Sequence, residues 1–450
     1  MVRAPSLQSE PGDPHRSVDS SHVAPQHGRT SEVPGFVLTA ASALGTLAAV
    51  RCLGARGVRI FVLDAHRLAP ALWSRYVVHR EACPPGRPIA RFIDALLEFG
   101  ARNPGHVLYP TSDDLAWAFA EQEAALRQYF RLFTPAFASV ARVLDKRSLY
   151  SACAEVGLGT PNTWFPETVG DVDEAAANAR FPIIVKPRAQ VFFTSARKGV
   201  CITSAAELRS RYAAFVRDNT FERAIMVARP DMARPMVQEL HAGDPIYSVS
   251  GFFEPGRKLF VARGARKVLQ WPRRAGVGIA FEDAPVEAEL AEGVRRLCEL
   301  TGFFGVFEAE FVTTRDGPKL IDFNPRLFNQ IGFDIARGLP SPYFAYLAAT
   351  GESARLEDAM RAAQRWQTNA AVVFEHRAMV AWTRAAERLT GRTPEPVPFE
   401  TPKRLGTVEV VDAAASGDDW LPGVVDGLRQ IGSALQHPRA ALRAAARGYG

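Results

Sequence analysis

Four oxygen-bearing side chains lie close together in the sequence: Glu308, Glu310, Asp322 and Asn324. Alternation with apolar residues predicts two β-strands, and the Arg-Asp-Gly-Pro sequence at 315–318 predicts the tight turn between them. Such a hairpin places Glu310 beside Asp322, with Asn324 on the same face. Carboxylates on one face repel each other unless a cation lies between them, and oxygen ligands without His or Cys suit Mg²⁺. A surface hairpin with solvated acids is the alternative interpretation.

One lysine and one loop upstream of this hairpin have the chemistry of a phosphate site. The apolar strand predicted at 182–185 ends at Lys186, where an unpaired buried ammonium would be costly, so we expect it to meet an anion. The loop at 190–199 contains Ser, Gly and Lys198, and backbone N–H groups together with a cation can cover a phosphate.

The elements that must position these residues predict an α/β protein. A strand from residue 35, a helix at 41–55 and a strand at 58–64 form a βαβ opening of the doubly wound type. Its first turn lacks the G-x-G-x-x-G pattern of a dinucleotide site, so NAD or FAD binding beside Asp64 is not favoured. Farther on, the acids Asp113 and Asp114 open a helix, where N-capping is favoured over a catalytic pair.

The composition is that of a soluble globular protein of about three domains. The chain has 450 residues, 47% of them hydrophobic, and a net charge of +6 that mildly favours anionic ligands. Five scattered cysteines predict neither a disulfide framework nor a zinc site, so we expect a cytoplasmic location. We find neither an apolar run long enough to span a membrane nor a secretory signal, and we expect residues 1–33 to be a disordered tail.

Six motifs in order make the chain resemble the ATP-grasp superfamily of the carboxylate–amine ligase type. They are DKRSLY, FPIIVKP, ARKGV, VQELHAGD, the EAEF strand and IDFNPR, and the resemblance covers about residues 35–350. It implies an ATP-grasp fold of the α/β (α+β) class with an N-terminal Rossmann-like preliminary domain. The motif order and the NPR ending are most similar to the D-aspartate-ligase-like branch.

The resemblance also implies a role for each matching residue. Lys146 and Lys186 would contact the α- and β-phosphates of ATP, and Lys198 would lie in the loop that covers them. Gln238, Glu239 and Leu240 would meet adenine, and Asp244 would bind the ribose. Glu310, Asp322 and Asn324 would bind one or two Mg²⁺ or Mn²⁺ ions, with Glu308 as the rival of Glu310. The family usually has Glu where this chain has Asp322. Arg326, Arg266 and Lys267 would face the transferred phosphate or the substrate carboxylate.

The expected domains are the preliminary domain (34–140), a small or lid subdomain (141–237), a large subdomain with the metal site (238–350) and a C-terminal helical extension (351–450). The extension ends in basic amphipathic helices that could touch an anionic membrane surface, although a solvated tail is favoured.

The expected reaction joins a small-molecule carboxylate to an amine through an acyl phosphate, releasing ADP and phosphate. The competing interpretations are a kinase on the same fold and a non-catalytic binding protein. The second is suggested by the basic segment at 258–274, which could contact nucleic acid, although we expect no nucleic-acid partner. The substrates and the oligomeric state are not predicted.

Overall fold

The N-terminal part of the chain forms a parallel sheet. The computed structural model describes residues 33–194, 199–241, 245–271, 276–368, 370–393, 398–400 and 407–436. All neighbouring strands in this sheet are parallel, in the order β3-β2-β1-β4-β5. The strands are β1 (Phe36–Leu38), β2 (Ile60–Asp64), β3 (Val77–Ala82), β4 (His106–Leu108) and β5 (Phe130–Arg131). The predicted doubly wound opening is confirmed.

Helices cover both faces of this sheet, because its central strands are apolar on both sides. Phe36, Val37 and Leu38 are all fully buried, and alternate residues of β1 belong to different hydrophobic clusters. The helices of this region are α1 (Leu44–Gly54), α2 (Ile89–Arg102), α3 (Asp113–Glu121) and α4 (Glu123–Leu126), with a 3₁₀ turn at Pro70–Trp73.

The second sheet is small and antiparallel, in the order β6-β9-β7-β8. Its strands are β6 (Thr163–Trp164), β7 (Ile183–Lys186), β8 (Val200–Ile202) and β9 (Met236–Glu239). The helices before and around it are α5 (Phe137–Leu144), α6 (Lys146–Glu155), α7 (Val169–Asn178), α8 (Ala205–Asp218) and α9 (Arg223–Ala228), with a 3₁₀ turn at Pro230–Ala233. The sheet has its own hydrophobic cluster, which includes Ile183, Val185 and Val237.

The third sheet has the order β14-β13-β10-β11-β12-β15-β16. Its strands are β10 (Ile246–Glu254), β11 (Leu259–Trp271), β12 (Val277–Ala284), β13 (Gly305–Thr314), β14 (Gly317–Asn324), β15 (Ala371–Glu375) and β16 (Val408–Asp412). The helices are α10 (Ala288–Thr301), α11 (Ile331–Ala336), α12 (Ser341–Thr350), α13 (Ser353–Arg365), α14 (Arg377–Leu389) and α15 (Leu421–Gln436).

The C-terminal region corrects the prediction of a purely helical extension at 351–450. β15 pairs antiparallel with β12, and β16 pairs in parallel with β15, so both strands extend the third sheet. Their sequences, AVVFE and VEVVD, are short runs rich in valine, which favours strands. Runs of five residues are too short for their periodicity to distinguish a strand from a helix segment, and the sequence interpretation missed them.

Candidate active site

The predicted hairpin of β13 and β14 forms one wall of the candidate site. Gly317 begins β14 at the turn with a φ of 98°, a conformation that glycine adopts without strain. In the register of the hairpin, Glu310 lies opposite Asp322, and Glu308 lies opposite Asn324. The structure therefore brings the three expected metal ligands onto neighbouring positions of one strand pair, as the sequence predicted.

Each of the three expected ligands is paired with a cationic side chain. The Nζ of Lys146 lies 2.6 Å from Asp322 Oδ1, and the Nζ of Lys267 lies 3.0 Å from Glu310 Oε1. The Nη2 of Arg326 donates to Asn324 Oδ1 over 2.8 Å. Burial opposes ionisation of Asp322, but the nearby Lys146 outweighs it, and the pKa of Asp322 is lowered. The cations thus offset the repulsion expected between the two acids.

Glu308 is held differently from Glu310. It is buried, and its carboxylate accepts hydrogen bonds from the side-chain amides of Asn324 (3.0 Å) and Gln330. Burial, followed by the charge of Glu310, raises the pKa of Glu308 to about 8. Glu310 lies opposite Asp322, whereas both oxygens of Glu308 already accept hydrogen bonds from side-chain amides, which favours Glu310 as the ligand.

Two lysines approach the hairpin from the opposite side. Lys146 is the first residue of α6, after the N-cap Asp145, and Lys186 is the last residue of β7. Burial disfavours charge on Lys146, yet Asp322 raises its pKa. Among the described residues, Lys186 has no ion pair or hydrogen bond for its ammonium. Burial, followed by the charge of Lys146, lowers the pKa of Lys186 to about 7.

A buried ion pair ties together the elements that carry the two lysines. Arg188 follows β7, and its Nη2 lies 2.6 Å from Asp145 Oδ2 and 2.7 Å from Asp231 Oδ2. The backbone N–H of Lys146 also donates to the carbonyl of Arg188 over 3.1 Å. The sequence interpretation did not assign Asp145 or Arg188 to the site. In the sequence, the only signals for these two residues were the helix-capping position of Asp145 and the place of Arg188 two residues after Lys186.

Between the hairpin and the small sheet lies a cleft of about 500 Å³. The expected adenine-binding residues Gln238, Glu239 and Leu240 line it, together with the lysines Lys186 and Lys267. Its apolar walls come from both sides and suit a flat base: Ile184, Leu240, Ile246, Val312 and Ile321.

Hydrogen bonds fix the three residues of this strand end. Gln238 Nε2 donates to Thr163 Oγ1 (2.9 Å) and to the hydroxyl of Tyr150 (3.1 Å). Asn162 Nδ2 donates to Glu239 Oε2 over 3.1 Å. The N–H of Leu240 donates to the carbonyl of Pro182 (3.1 Å), so this N–H already has a partner.

The three residues expected to face the transferred phosphate have different surroundings. Lys267 points to Glu310, whereas the guanidinium of the preceding Arg266 pairs with Glu282 and, over 2.9 Å, with Glu400. Successive strand residues point to opposite faces, which accounts for this divergence, although Arg266 still contributes to the cleft lining. Arg326 lies between the hairpin and the N-terminal sheet.

Residues at the start of α3 form hydrogen bonds to Arg326 and to the loop after β7. The helix is capped, as predicted, but by Ser112 rather than by either acid: the Oγ of Ser112 accepts from the N–H of Leu115 over 3.2 Å. The two acids have further partners that the sequence interpretation missed. Asp113 Oδ1 lies 2.7 Å from Arg326 Nε, and Asp114 Oδ1 accepts from the N–H of Phe192 over 2.6 Å.

Two expected nucleotide residues, Lys198 and Asp244, lie outside the described residues. Of the expected residues that the structure describes, Lys186, Lys267, Glu310 and the Gln238–Leu240 segment line one cleft. Lys146 pairs with Asp322 of the hairpin that forms its wall. The structure describes no cluster of three or more His, Cys, Asp or Glu side chains arranged to hold a metal. Two carboxylates and one carboxamide do fit a hard cation that takes its remaining ligands from phosphate and water.

A second cavity, of about 540 Å³, adjoins the hairpin through Gln330. The loop after β1, the pair Asn329 and Gln330, and the C-terminal residues His376 and Arg429 line it. His376 Nε2 lies 2.7 Å from Asp426 Oδ2, and Arg429 Nη2 lies 3.0 Å from Asp426 Oδ1. The C-terminal region thus forms part of a cavity next to the candidate metal site.

Comparisons with known proteins agree on the fold. No protein-family model matches the chain, and no curated protein matches it. Among solved structures, biotin carboxylase of Campylobacter jejuni, described as a complex with β,γ-ATP, is 13% identical with a TM-score of 0.55, covering 74% of this chain and 71% of that one. The biotin carboxylase domain of Hydrogenobacter thermophilus 2-oxoglutarate carboxylase, described with MgADP, ADP and bicarbonate, is 14% identical with a TM-score of 0.57, covering 71% and 70%. L-amino acid ligase of Bacillus licheniformis is 13% identical with a TM-score of 0.51, covering 70% and 74%.

Proposed function

We propose that this chain, which has the ATP-grasp fold, is an ATP-dependent ligase that joins a carboxylate to an amine. The observation that carries the proposal is the meeting of Lys146 and Asp322, which are 176 positions apart in sequence and 2.6 Å apart in space. A cation-rich face and an acid-rich face thereby enclose one cleft. The ligases among the similar structures support the same reaction class.

In this proposal the nucleotide lies in the cleft of about 500 Å³. The base lies between its apolar walls beside Gln238, Glu239 and Leu240, and Asp244 binds the ribose. Lys146, Lys186 and Lys198 bind the phosphates. A lysine 4 Å from a phosphate charge contributes about 4 kcal/mol at an effective dielectric constant of 20, before desolvation.

Glu310, Asp322 and Asn324 would hold one or two Mg²⁺ ions, or Mn²⁺ in their place. The bound metal neutralises charge on the phosphates during transfer. Lys146 pairs with Asp322, and Lys267 pairs with Glu310. With a cation held at these carboxylates, the two ammonium groups would be available to the phosphate oxygens.

The reaction would proceed in two balanced steps. The substrate carboxylate takes the γ-phosphoryl group, giving an acyl phosphate and ADP; the amine then forms the C–N bond, and phosphate and the amine proton leave. Arg326, Arg266 and Lys267 would stabilise the anionic groups. Acyl phosphates hydrolyse in water, so the loop at 190–199 is proposed to close over them. The second cavity, beside Gln330 and Arg429, is the proposed place of a substrate.

Two further parts of the assignment belong to the proposal. Residues 34–140, 141–237 and 238–350 are proposed to form three functional domains. The cytoplasm is proposed as the place where the protein acts. Over the residues that the structure describes, we find no helix that is both long and apolar enough to cross a membrane.

The test is a screen for amine-dependent ADP release over amino acids, short peptides and hydroxy acids, each paired with amines. We expect Lys186→Ala and Asp322→Asn to abolish the release while circular dichroism and the melting temperature show a folded protein. Lys319→Ala and Asp316→Asn are matched controls at or near the turn of the same hairpin, and they should keep activity. Full activity in both cleft variants would rule out the mechanism.

A further inference from the structure

The C-terminal helix α15 presents an apolar stripe to solvent. Val424, Leu428, Ile431 and Leu435 recur at intervals of four, three and four residues, the spacing that lines one face of a helix. They are 48%, 60%, 60% and 76% exposed. The opposite face of α15 packs on the protein, where Val425 is buried. The stripe is therefore not needed for packing within the described chain.

Two exposed tryptophans accompany the stripe. Trp420, directly before α15, is 63% exposed. The 3₁₀ turn at Pro70–Trp73 packs against α15, and its Trp73 is 41% exposed, with Leu68 nearby in sequence at 56%. Tryptophan has an apolar ring and a polar N–H group, and it is enriched where an apolar medium meets water.

Basic side chains outnumber acids on the two helices α14 and α15. Within the described residues of α14 and α15, the only acids are Glu387 and Asp426, and both are buried. The exposed carboxylate nearest to the stripe in sequence, Asp418, is bonded to Tyr76 (2.9 Å) and Ser416 (2.6 Å). The described residues of these helices contain four arginines. Arg377 and Arg429 pair with Asp412 and Asp426, and the other two are Arg384 and Arg388.

We propose that the outer face of α15 docks on an anionic phospholipid surface. An apolar helix face flanked by arginines is the combination that lies in the plane of such a surface, with lipid phosphates and carboxylates as counterions. A second copy of the chain is a poorer occupant, because pairing of two stripes would bring the arginines of α14 and α15 from both copies together, and the described residues of these helices expose no acid to pair with them. The attachment is peripheral, and it is independent of the ligase reaction.

Flotation of the full chain with lipid vesicles tests this inference. We expect binding to phosphatidylcholine vesicles that contain phosphatidylserine, weaker binding at high salt, and little binding to phosphatidylcholine alone. The double variant Leu428→Glu with Ile431→Glu should bind at least roughly tenfold more weakly, because losing the burial of one large apolar side chain already changes an equilibrium by about that factor.

The matched control is Val169→Glu with Val227→Glu, which adds the same charge at exposed apolar positions of the small sheet's helices. This control should float like the parent chain, and all variants should keep its melting temperature. A second variant, Arg384→Gln with Arg388→Gln, should lose preference for anionic lipid without loss of an apolar contact.

Three results would overturn the proposal: no flotation of the parent chain, equal flotation on neutral vesicles, or equal flotation of the Leu428/Ile431 variant. Sedimentation equilibrium tests whether a second copy of the chain binds the stripe instead. A dimer that dissociates in the Leu428→Glu variant would assign the stripe to a second copy.

Discussion

Nucleotide binding should be coupled to proton uptake by Lys186. Its ammonium has no ion-pair partner in the described part of the chain, and burial together with Lys146 lowers its pKa to about 7. Polyphosphate favours the charged form, so a Lys186 that contacts phosphate takes up a proton when nucleotide binds at alkaline pH.

The magnitude follows from this pKa. At pH 8 roughly one molecule in ten carries a charged Lys186, against about nine in ten at pH 6. Because only the charged form pairs with phosphate, affinity for MgADP should fall roughly tenfold between pH 6 and pH 8. Binding at pH 8 should take up about 0.9 proton per nucleotide, and binding at pH 6 about 0.1.

Titration calorimetry in buffers of different ionisation enthalpy measures the uptake directly. The nucleotide's own phosphates also titrate, so the informative quantity is the difference between the parent chain and Lys186→Met, which keeps the length of the side chain and removes its charge. Equal proton uptake by both proteins at pH 8 would refute the reasoning, since Lys186 would then be fully charged before binding or remote from phosphate.

Three stability measurements test other parts of the structure by thermal or urea unfolding. The pKa of Lys186 is lower in the folded chain than in the unfolded one, so its contribution to the free energy of unfolding rises from about pH 7 to pH 10. Lys186→Met should therefore stabilise the chain by about 1–3 kcal/mol at pH 7. This gain in stability should shrink toward pH 10. Asp145→Ala should lower the free energy of unfolding by about 3–5 kcal/mol and abolish nucleotide binding, because Arg188 loses its main buried partner. Asp231→Ala, which removes a side chain that is 43% exposed, should lower the free energy of unfolding by less than about 1 kcal/mol. Gly317→Ala should lower the free energy of unfolding by about 1 kcal/mol because φ is 98°, although nothing lies within 4 Å of the added carbon. Gly427→Ala is equally uncrowded but lies inside α15, so it should raise the free energy of unfolding by about 0.5–1 kcal/mol. Equal effects of the two substitutions would contradict the argument.

The hairpin was predictable because local rules determine it. The Asp-Gly turn fixes the register, and the register decides that Glu310 faces Asp322. The βαβ opening was predictable for a similar reason, since apolar runs between turn signals identify its strands. The assignment of Lys186 to an anion stays a prediction, made because a lysine at the end of a buried strand is costly without a partner.

The contacts that hold the site together were not predictable, because they join residues far apart in the chain. Asp113 looked like a helix cap, yet it binds Arg326 from 213 positions away. The divergence of Arg266 from Lys267 depends on Glu282 of the neighbouring strand and on Glu400. Strands β15 and β16 are defined by their partners, because β15 pairs with β12 and β16 pairs with β15. Sequence periodicity carries no information on such tertiary partners.

The charges in the site indicate where a polyphosphate would bind. Four cations, Lys146, Lys186, Lys267 and Arg326, meet three carboxylates that pair with cations, Asp322, Glu310 and Asp113. Burial and the neighbouring Glu310 raise the pKa of Glu308, which disfavours its charged form, so it is left out of this balance. At pH 7 about half of the molecules carry a charged Lys186. In these molecules the excess positive charge resides on Lys186, the member of the four without an ion pair among the described residues. An incoming phosphate meets this cation without breaking an existing pair, so Lys186 should contact the nucleotide before Lys146, which is paired with Asp322.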